Sequence, residues 1–212
     1  MPRRSLVILD DYYENPDEVR EYALRLKYTR SGRFPGLNSA NDNINDELRA
    51  VATNLAAKVV VNGQSKDITF FRITRGSDSH QADIHVDGSR WAGVCYLNPA
   101  GESKHSEGGT AFFRHKVTGL TSWPSESEVE KLQGAGLLDP ELRTSAELHR
   151  FFADEGRDRS KWVQIMYVPP LYNRAIFYDA MQFHSISDWA SYGETPETAR
   201  LTRLFFFEIA PS

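Results

Sequence analysis

The tripeptide His85-Val86-Asp87 places an imidazole and a carboxylate two positions apart. On an extended strand, residues i and i+2 point to the same face, so both groups can reach one metal ion. A third ligand must come from elsewhere; downstream stand a lone His184 and the segment Arg200-Leu201-Thr202. Two imidazoles and one carboxylate on one face of an octahedron leave the opposite positions open. Non-haem Fe(II) sites use this arrangement to bind further ligands.

The elements that must position these groups read mostly as strands. Runs rich in β-branched and aromatic residues cover 6–9, 68–74, 84–87, 91–97, 110–115, 162–168, 175–178 and 201–209. Asn15-Pro16-Asp17-Glu18 combines an N-cap residue, a proline suited to the first helical position and acids for the first turn. The helix it starts would bury Val19, Tyr22, Ala23 and Leu26. Residues 30–45 read as a loop, and Leu48, Val51, Leu55 and Val59 as a second helix, so that 1–66 supply helices buttressing a sheet. Residues 116–160 read as a helical insertion with starts at Ser125-Glu126-Ser127-Glu128 and Thr144-Ser145-Ala146-Glu147, the second helix burying Leu148, Phe151 and Phe152. The reading favours a packed cover over a lid. The whole pattern predicts one mainly β domain, 1–212, with flanking helices around a double-stranded β-helix (jelly-roll) core.

Further segments follow in order: Tyr96-Leu97-Asn98, Gly108-Gly109-Thr110-Ala111-Phe112-Phe113, Ala175-Ile176-Phe177-Tyr178-Asp179 ahead of His184, and Arg200-Leu201-Thr202-Arg203-Leu204-Phe205-Phe206-Phe207. With the His-x-Asp segment, residues 68–209 resemble the prolyl-4-hydroxylase-like group of Fe(II)- and 2-oxoglutarate-dependent dioxygenases. The resemblance implies that His85, Asp87 and His184 hold Fe(II), and that 2-oxoglutarate and O2 take the open positions. It also implies that Arg200 and Thr202, on one strand face, hold the far carboxylate of the cosubstrate, with the Tyr96 hydroxyl reaching the same group. Arg203 falls on the other face.

The implied activity is hydroxylation of a C–H bond with release of succinate and CO2; the substrate is not inherited with it, and an amino-acid-like or peptidyl one is the expectation. Relatives that halogenate replace the carboxylate ligand by a small residue, and Asp87 leaves no such vacancy. Arg72, Thr74 and Gln81 are candidate substrate contacts, from their closeness to the iron motif and their strand parity. His80, His105, His115 and His149 lack a partner at ligand spacing and read as loop or surface residues. Gly108-Gly109 reads as a tight turn, since no helix start follows to cradle a phosphate. Two other classes use similar parts: a zinc- or other metal-dependent cupin-like enzyme, and a β-helix binding protein without turnover.

Composition sets outer bounds. The 212 residues are 40% hydrophobic and 12% aromatic, enough for a sizeable core. A formal charge of −4 gives no footprint for a nucleic-acid backbone. Cys95 is the only cysteine, which excludes an intramolecular disulfide and suits a reducing compartment. No apolar run reaches the length of a membrane span, and the start of the chain lacks a signal-peptide pattern, so the expectation is a soluble, cytoplasmic protein.

Overall fold

A computed structural model of the protein describes residues 6–32, 34–40, 68–78, 83–99 and 107–208. The chain order is β1 (Leu6–Leu9), α1 (Pro16–Leu24), β2 (Arg30–Ser31), β3 (Leu37–Asn38), β4 (Ile68–Thr74), β5 (Trp91–Tyr96), β6 (Thr110–His115), α2 (Glu126–Gly134), α3 (Ser145–Gly156), a 3-10 turn (Arg159–Lys161), β7 (Trp162–Val168), β8 (Ala175–Asp179), β9 (His184–Ile186) and β10 (Arg200–Phe207). A seven-stranded sheet runs β1-β8-β5-β10-β4-β3-β2, and a three-stranded sheet runs β7-β6-β9. All these strand pairs are antiparallel. The mainly β architecture is the expected one.

Strand β10 shows how the sequence divides its side chains. Leu201, Phe205 and Phe207 join Phe71, Ile73 and Phe177 in a core against which Val19 and Tyr12 pack. Leu204 faces the opposite way, with Phe70, Val94 and Tyr178, toward Phe112 and Val168 of the small sheet. Because both faces of the large sheet are covered, its strands carry apolar residues on both parities.

Helix α1 begins with Pro16 as expected, although Asn15 makes no side-chain cap bond. Tyr22 departs from the predicted buried stripe: it is 46% exposed and only its ring edge meets Phe71. The buried Arg20 instead ties the helix to the sheet, donating to the carbonyls of Leu97 (2.8 Å) and Glu197 (2.7 Å). The expected loop at 30–45 contains the short strands β2 and β3, while the proposed helix through Leu48 and Val59 lies outside the described residues.

Residues from 116–160 pack against the small sheet. Helix α3 is entered through a capping box, in which the Glu147 N–H donates to Thr144 Oγ1 (3.2 Å) and the Thr144 N–H donates to the Glu147 carboxylate (2.8 Å). Its Leu148 and Phe152 join Ile84, Phe113, Trp162 and Phe183 in a third core on the outer side of the small sheet. Phe152 is 4% exposed, and burying such a side chain contributes roughly 1.5–3 kcal/mol.

The cover also touches the metal motif. The Ile84 N–H donates to the Gly156 carbonyl (3.0 Å), and a Cβ added at Gly156 would overlap the Ile84 carbonyl oxygen. Gly156→Ala is therefore expected to force the helix end and the His85 segment apart. Overpacking of this kind costs about 1–3 kcal/mol, to be read as a lowered melting temperature together with weaker metal retention. An unchanged metal affinity in a destabilised variant would separate the cover from the site.

Candidate metal and cosubstrate site

His85 and His184 face each other across a two-way backbone bridge, His85 N–H to His184 O (3.0 Å) and His184 N–H to His85 O (2.9 Å). The predicted strand at 84–87 is reduced to this one bridge, because its backbone N–H groups go to three different places: Ile84 to the Gly156 carbonyl, His85 to β9 and Asp87 to the Ala180 carbonyl (3.0 Å each). His184 is itself held on β9 opposite Phe112 of β6. These bonds set three side chains around one point. Asp87 Oδ1 lies 3.5 Å from His85 Nε2, Asp87 Oδ2 lies 3.2 Å from His184 Nε2, and one ligand atom from each residue falls within 4.8 Å of the others.

Both rings are oriented in the same way. His85 Nδ1 bonds the Asp83 carbonyl and His184 Nδ1 bonds the Gln182 carbonyl, each at 2.8 Å. A carbonyl can only accept, so Nδ1 carries the proton and Nε2 is the nitrogen turned to the site, as a metal-binding imidazole requires. Phe34 stacks on His85 (3.9 Å between centroids), and the Tyr178 ring packs edge-on against His184 (4.8 Å). Burial alone would push the Asp87 carboxyl up, but His184 and then His85 outweigh it and hold it well below the usual carboxylate range. Burial, then His184, keeps the His85 imidazole below its ordinary value. The residues thus turn a carboxylate oxygen and two imidazole Nε2 atoms to one point, the atoms with which such groups ligate.

The same cavity is lined by Arg200, Arg72 and Thr110. Arg200 is 5% exposed; its Nε donates to the Gly108 carbonyl (2.6 Å), its guanidinium lies 5.6 Å over the Tyr96 ring, and it has no carboxylate partner among the described residues. One turn of pleat along the same face, Thr202 is fully buried behind the cavity lining, and its Oγ1 has no hydrogen-bond partner among the described residues. An unpaired buried hydroxyl costs free energy that an incoming acceptor would recover. A buried guanidinium and an unsatisfied hydroxyl on one strand face are the donors a carboxylate needs.

The structure sorts the remaining candidates. Arg203 points away, stacked over Phe71 (4.3 Å) and donating to Thr69 Oγ1 (3.2 Å). Tyr96 is buried beside Arg200 but does not line the cavity; its hydroxyl bonds Thr110 Oγ1 (2.7 Å), and burial pushes it up to about 12. Arg72 lines the cavity, whereas Thr74 is turned against the Pro35 carbonyl and does not. Gln81, His80 and His105 lie outside the described residues.

One histidine reading needs correction. His115 is 1% exposed, not a surface residue: it bonds Glu155 (3.0 Å) and Thr118 (2.9 Å), partners supplied by the 116–160 segment. His149 is exposed on α3, a surface residue as read, and stacks on Trp123 (4.1 Å). Gly108 does sit in a turn, at φ +83°. Sequence reasoning missed Phe34, Tyr178, Ser185 and Ile186 as cavity residues. Of these, Ser185 and Ile186 had a signal in their adjacency to His184.

Among solved structures, the chain is similar to the non-heme alpha ketoglutarate dependent carbocyclase SnoK from nogalamycin biosynthesis, at a TM-score of 0.51 and 12% identity over 96% of this chain and 79% of that one. It is also similar to a Pseudomonas putida prolyl-4-hydroxylase (TM-score 0.47, 11% identity, 96% and 92% covered). A third is HygX from Streptomyces hygroscopicus with nickel, 2-oxoglutarate and hygromycin B bound (0.47, 12%, 95% and 81%). The fold is the double-stranded β-helix expected from the sequence, shared with the carbocyclase. A family model described as "Family of unknown function (DUF6445)" matches residues 1–207, and the chain belongs to that family. No curated protein matches it. Among the described residues, no helix is long and apolar enough to cross a membrane.

Proposed function

We propose that this protein is an Fe(II)- and 2-oxoglutarate-dependent dioxygenase that hydroxylates a C–H bond of an amino-acid-like or peptidyl substrate, releasing succinate and CO2. The observation that carries the reading is the meeting, in one cavity, of the His85–Asp87–His184 cluster with Arg200, which has no carboxylate partner among the described residues; the Thr202 hydroxyl, two positions along the same strand, is buried behind the lining. A zinc hydrolase would have use for the cluster but none for a separate anion subsite beside it.

When bound, Fe(II) with 2-oxoglutarate supplies O2 activation coupled to oxidative decarboxylation, the hard chemistry that a cofactor contributes. The chain's own residues place and select. His85, Asp87 and His184 would hold the ion on one face, leaving the other for cosubstrate and O2. Arg200 and Thr202 would bind the far carboxylate, and the Gly108 carbonyl holds the guanidinium of Arg200 through Nε at the cavity wall. Phe34, Val94, Leu204 and Phe206 exclude water from the walls.

The test is anaerobic addition of Fe(II) and then 2-oxoglutarate, watched for the weak visible charge-transfer band of the chelate. Its absence in protein shown to hold iron would overturn the reading. Thr202→Val gives a second handle with opposite signs. Removing an unsatisfied buried hydroxyl in an isosteric exchange is expected to leave the ligand-free protein as stable or about 1 kcal/mol more stable, while weakening 2-oxoglutarate binding several-fold. Melting curves and titration of the band measure the two effects on the same sample.

A further inference from the structure

We propose that Arg72 recognises a free carboxylate on the substrate, so that the site takes an organic acid with an apolar body beside the cosubstrate. The inference rests on the Fe(II)/2-oxoglutarate reading and adds the substrate class. Arg72 stands on β4 directly across from Thr202, and its side chain lines the same cavity as the metal cluster. Its Nε donates to Asn38 Oδ1 (2.7 Å) on the neighbouring β3, which steadies the guanidinium and leaves its terminal donors available. No carboxylate among the described residues forms an ion pair with it.

Among the described residues, the cavity therefore holds two guanidinium groups, Arg72 and Arg200, against the single carboxylate of Asp87. Burial, and then Arg200, push the Arg72 guanidinium down to about 10, as expected of a cation short of a counter-anion. 2-Oxoglutarate is a dianion, and both its charges are already placed: one end on the metal, the other on Arg200 and Thr202. Arg72 is left without an anion, and a bidentate fork is suited to a carboxylate. It is only half-buried, on the β3 side of the cavity that Phe34 flanks, whereas Arg200 is deep. Phe34, Phe206, Leu204 and Ile186 line the space around it, which favours an apolar body behind the charged end.

The experiment uses wild-type protein loaded anaerobically with Fe(II) and saturating 2-oxoglutarate. Pentanoate, octanoate, 4-phenylbutyrate and N-acetyl-L-leucine are titrated by calorimetry and by perturbation of the charge-transfer band, each against its carboxamide. At least one acid is expected to bind tenfold or more tightly than its amide. Arg72→Gln should weaken that acid by about ten- to a hundredfold, leave the amide unchanged, and keep the 2-oxoglutarate requirement at the wild-type level. Arg72→Lys, which keeps the charge, should fall between, and serves if the glutamine variant does not fold.

Equal binding of acid and amide in every wild-type pair would overturn the inference. So would an Arg72→Gln variant whose main defect is a raised 2-oxoglutarate requirement, since Arg72 would then belong to the cosubstrate anchor. Failure of the band to form in iron-loaded wild type is a different result: it removes the cofactor reading itself, and this inference with it.

Discussion

Asp87→Ala should abolish iron retention and all 2-oxoglutarate turnover while the far-ultraviolet spectrum stays that of the folded chain. Asp87 supplies the only anionic ligand in the cluster, and its oxygens lie between both imidazole nitrogens. Losing an outer-shell partner of a metal ligand typically costs ten- to a hundredfold in affinity, so losing the ligand itself should exceed about a hundredfold. The backbone bridge and both Nδ1 bonds remain, which is why the rings should keep their places. Iron retained after desalting and succinate formed without added substrate are the two measurements, made in chloride-free buffer because a halide can fill the position a carboxylate vacates. Wild-type retention in both Asp87→Ala and His184→Ala would sink the metal assignment.

The substitution also has a pH signature in the metal-free protein. Asp87 is held below its ordinary value of 3.8 by the two histidines despite burial, so the stability it contributes is present above that value and is lost as pH falls through the lower, folded one. Wild type and Asp87→Ala should therefore converge in melting temperature under strongly acidic conditions and differ above about pH 4.

Arg200→Lys is expected to raise the half-saturating 2-oxoglutarate concentration by about ten- to a hundredfold, the equivalent of one lost charge-assisted hydrogen bond of about 1.5–3 kcal/mol. An ammonium keeps the charge but cannot reproduce the fork, nor can it at once bond Gly108 as Nε does. Arg203→Lys is the control with the reverse outcome. Arg203 is buried over Phe71 on the far face of the strand, so its replacement should lower the melting temperature and leave the cosubstrate requirement near wild type. A larger cosubstrate defect at Arg203 would mean that the strand faces are assigned the wrong way round.

Much of this was legible before any coordinates, for reasons that differ from residue to residue. Long strands such as β4, β6 and β7 appear with their predicted ends because five or more β-favouring residues in succession outweigh other signals. Strands β2, β3 and β9 span only two or three residues each, too short for any period; β3 and β9 exist because the longer β4 and β6 pair with them, and β2 pairs in turn with β3. Parity separated Arg200 from Arg203 correctly, since a side chain on a strand has only two faces to choose from.

What parity cannot give is a side chain's final partner. Thr74 shares its face with Arg72 yet turns to Pro35, and the Tyr96 hydroxyl stops at Thr110. His115 looked solitary because its partners, Thr118 and Glu155, come from a loop and a helix whose packing no local pattern reveals. Phe34 had no signal at all: its place over His85 depends on how the chain returns to pair β3 with β4.

The contact between Gly156 and Ile84 bears on how this protein could be re-engineered. A segment such as 116–160 invites exchange by anyone seeking a new substrate range, because its helices leave and rejoin the sheet at β6 and β7. Here the last residue of α3 is hydrogen-bonded to the residue before His85, and Arg159, just beyond, donates to the Ile186 carbonyl two positions after His184 (2.7 Å). A transplanted segment would have to reproduce both junctions, with a residue lacking a side chain at the first and a guanidinium at the second. Chimeras cut at 116 and 154, upstream of these two anchors, would spare the metal-binding geometry that cuts at the natural ends of the segment would disturb.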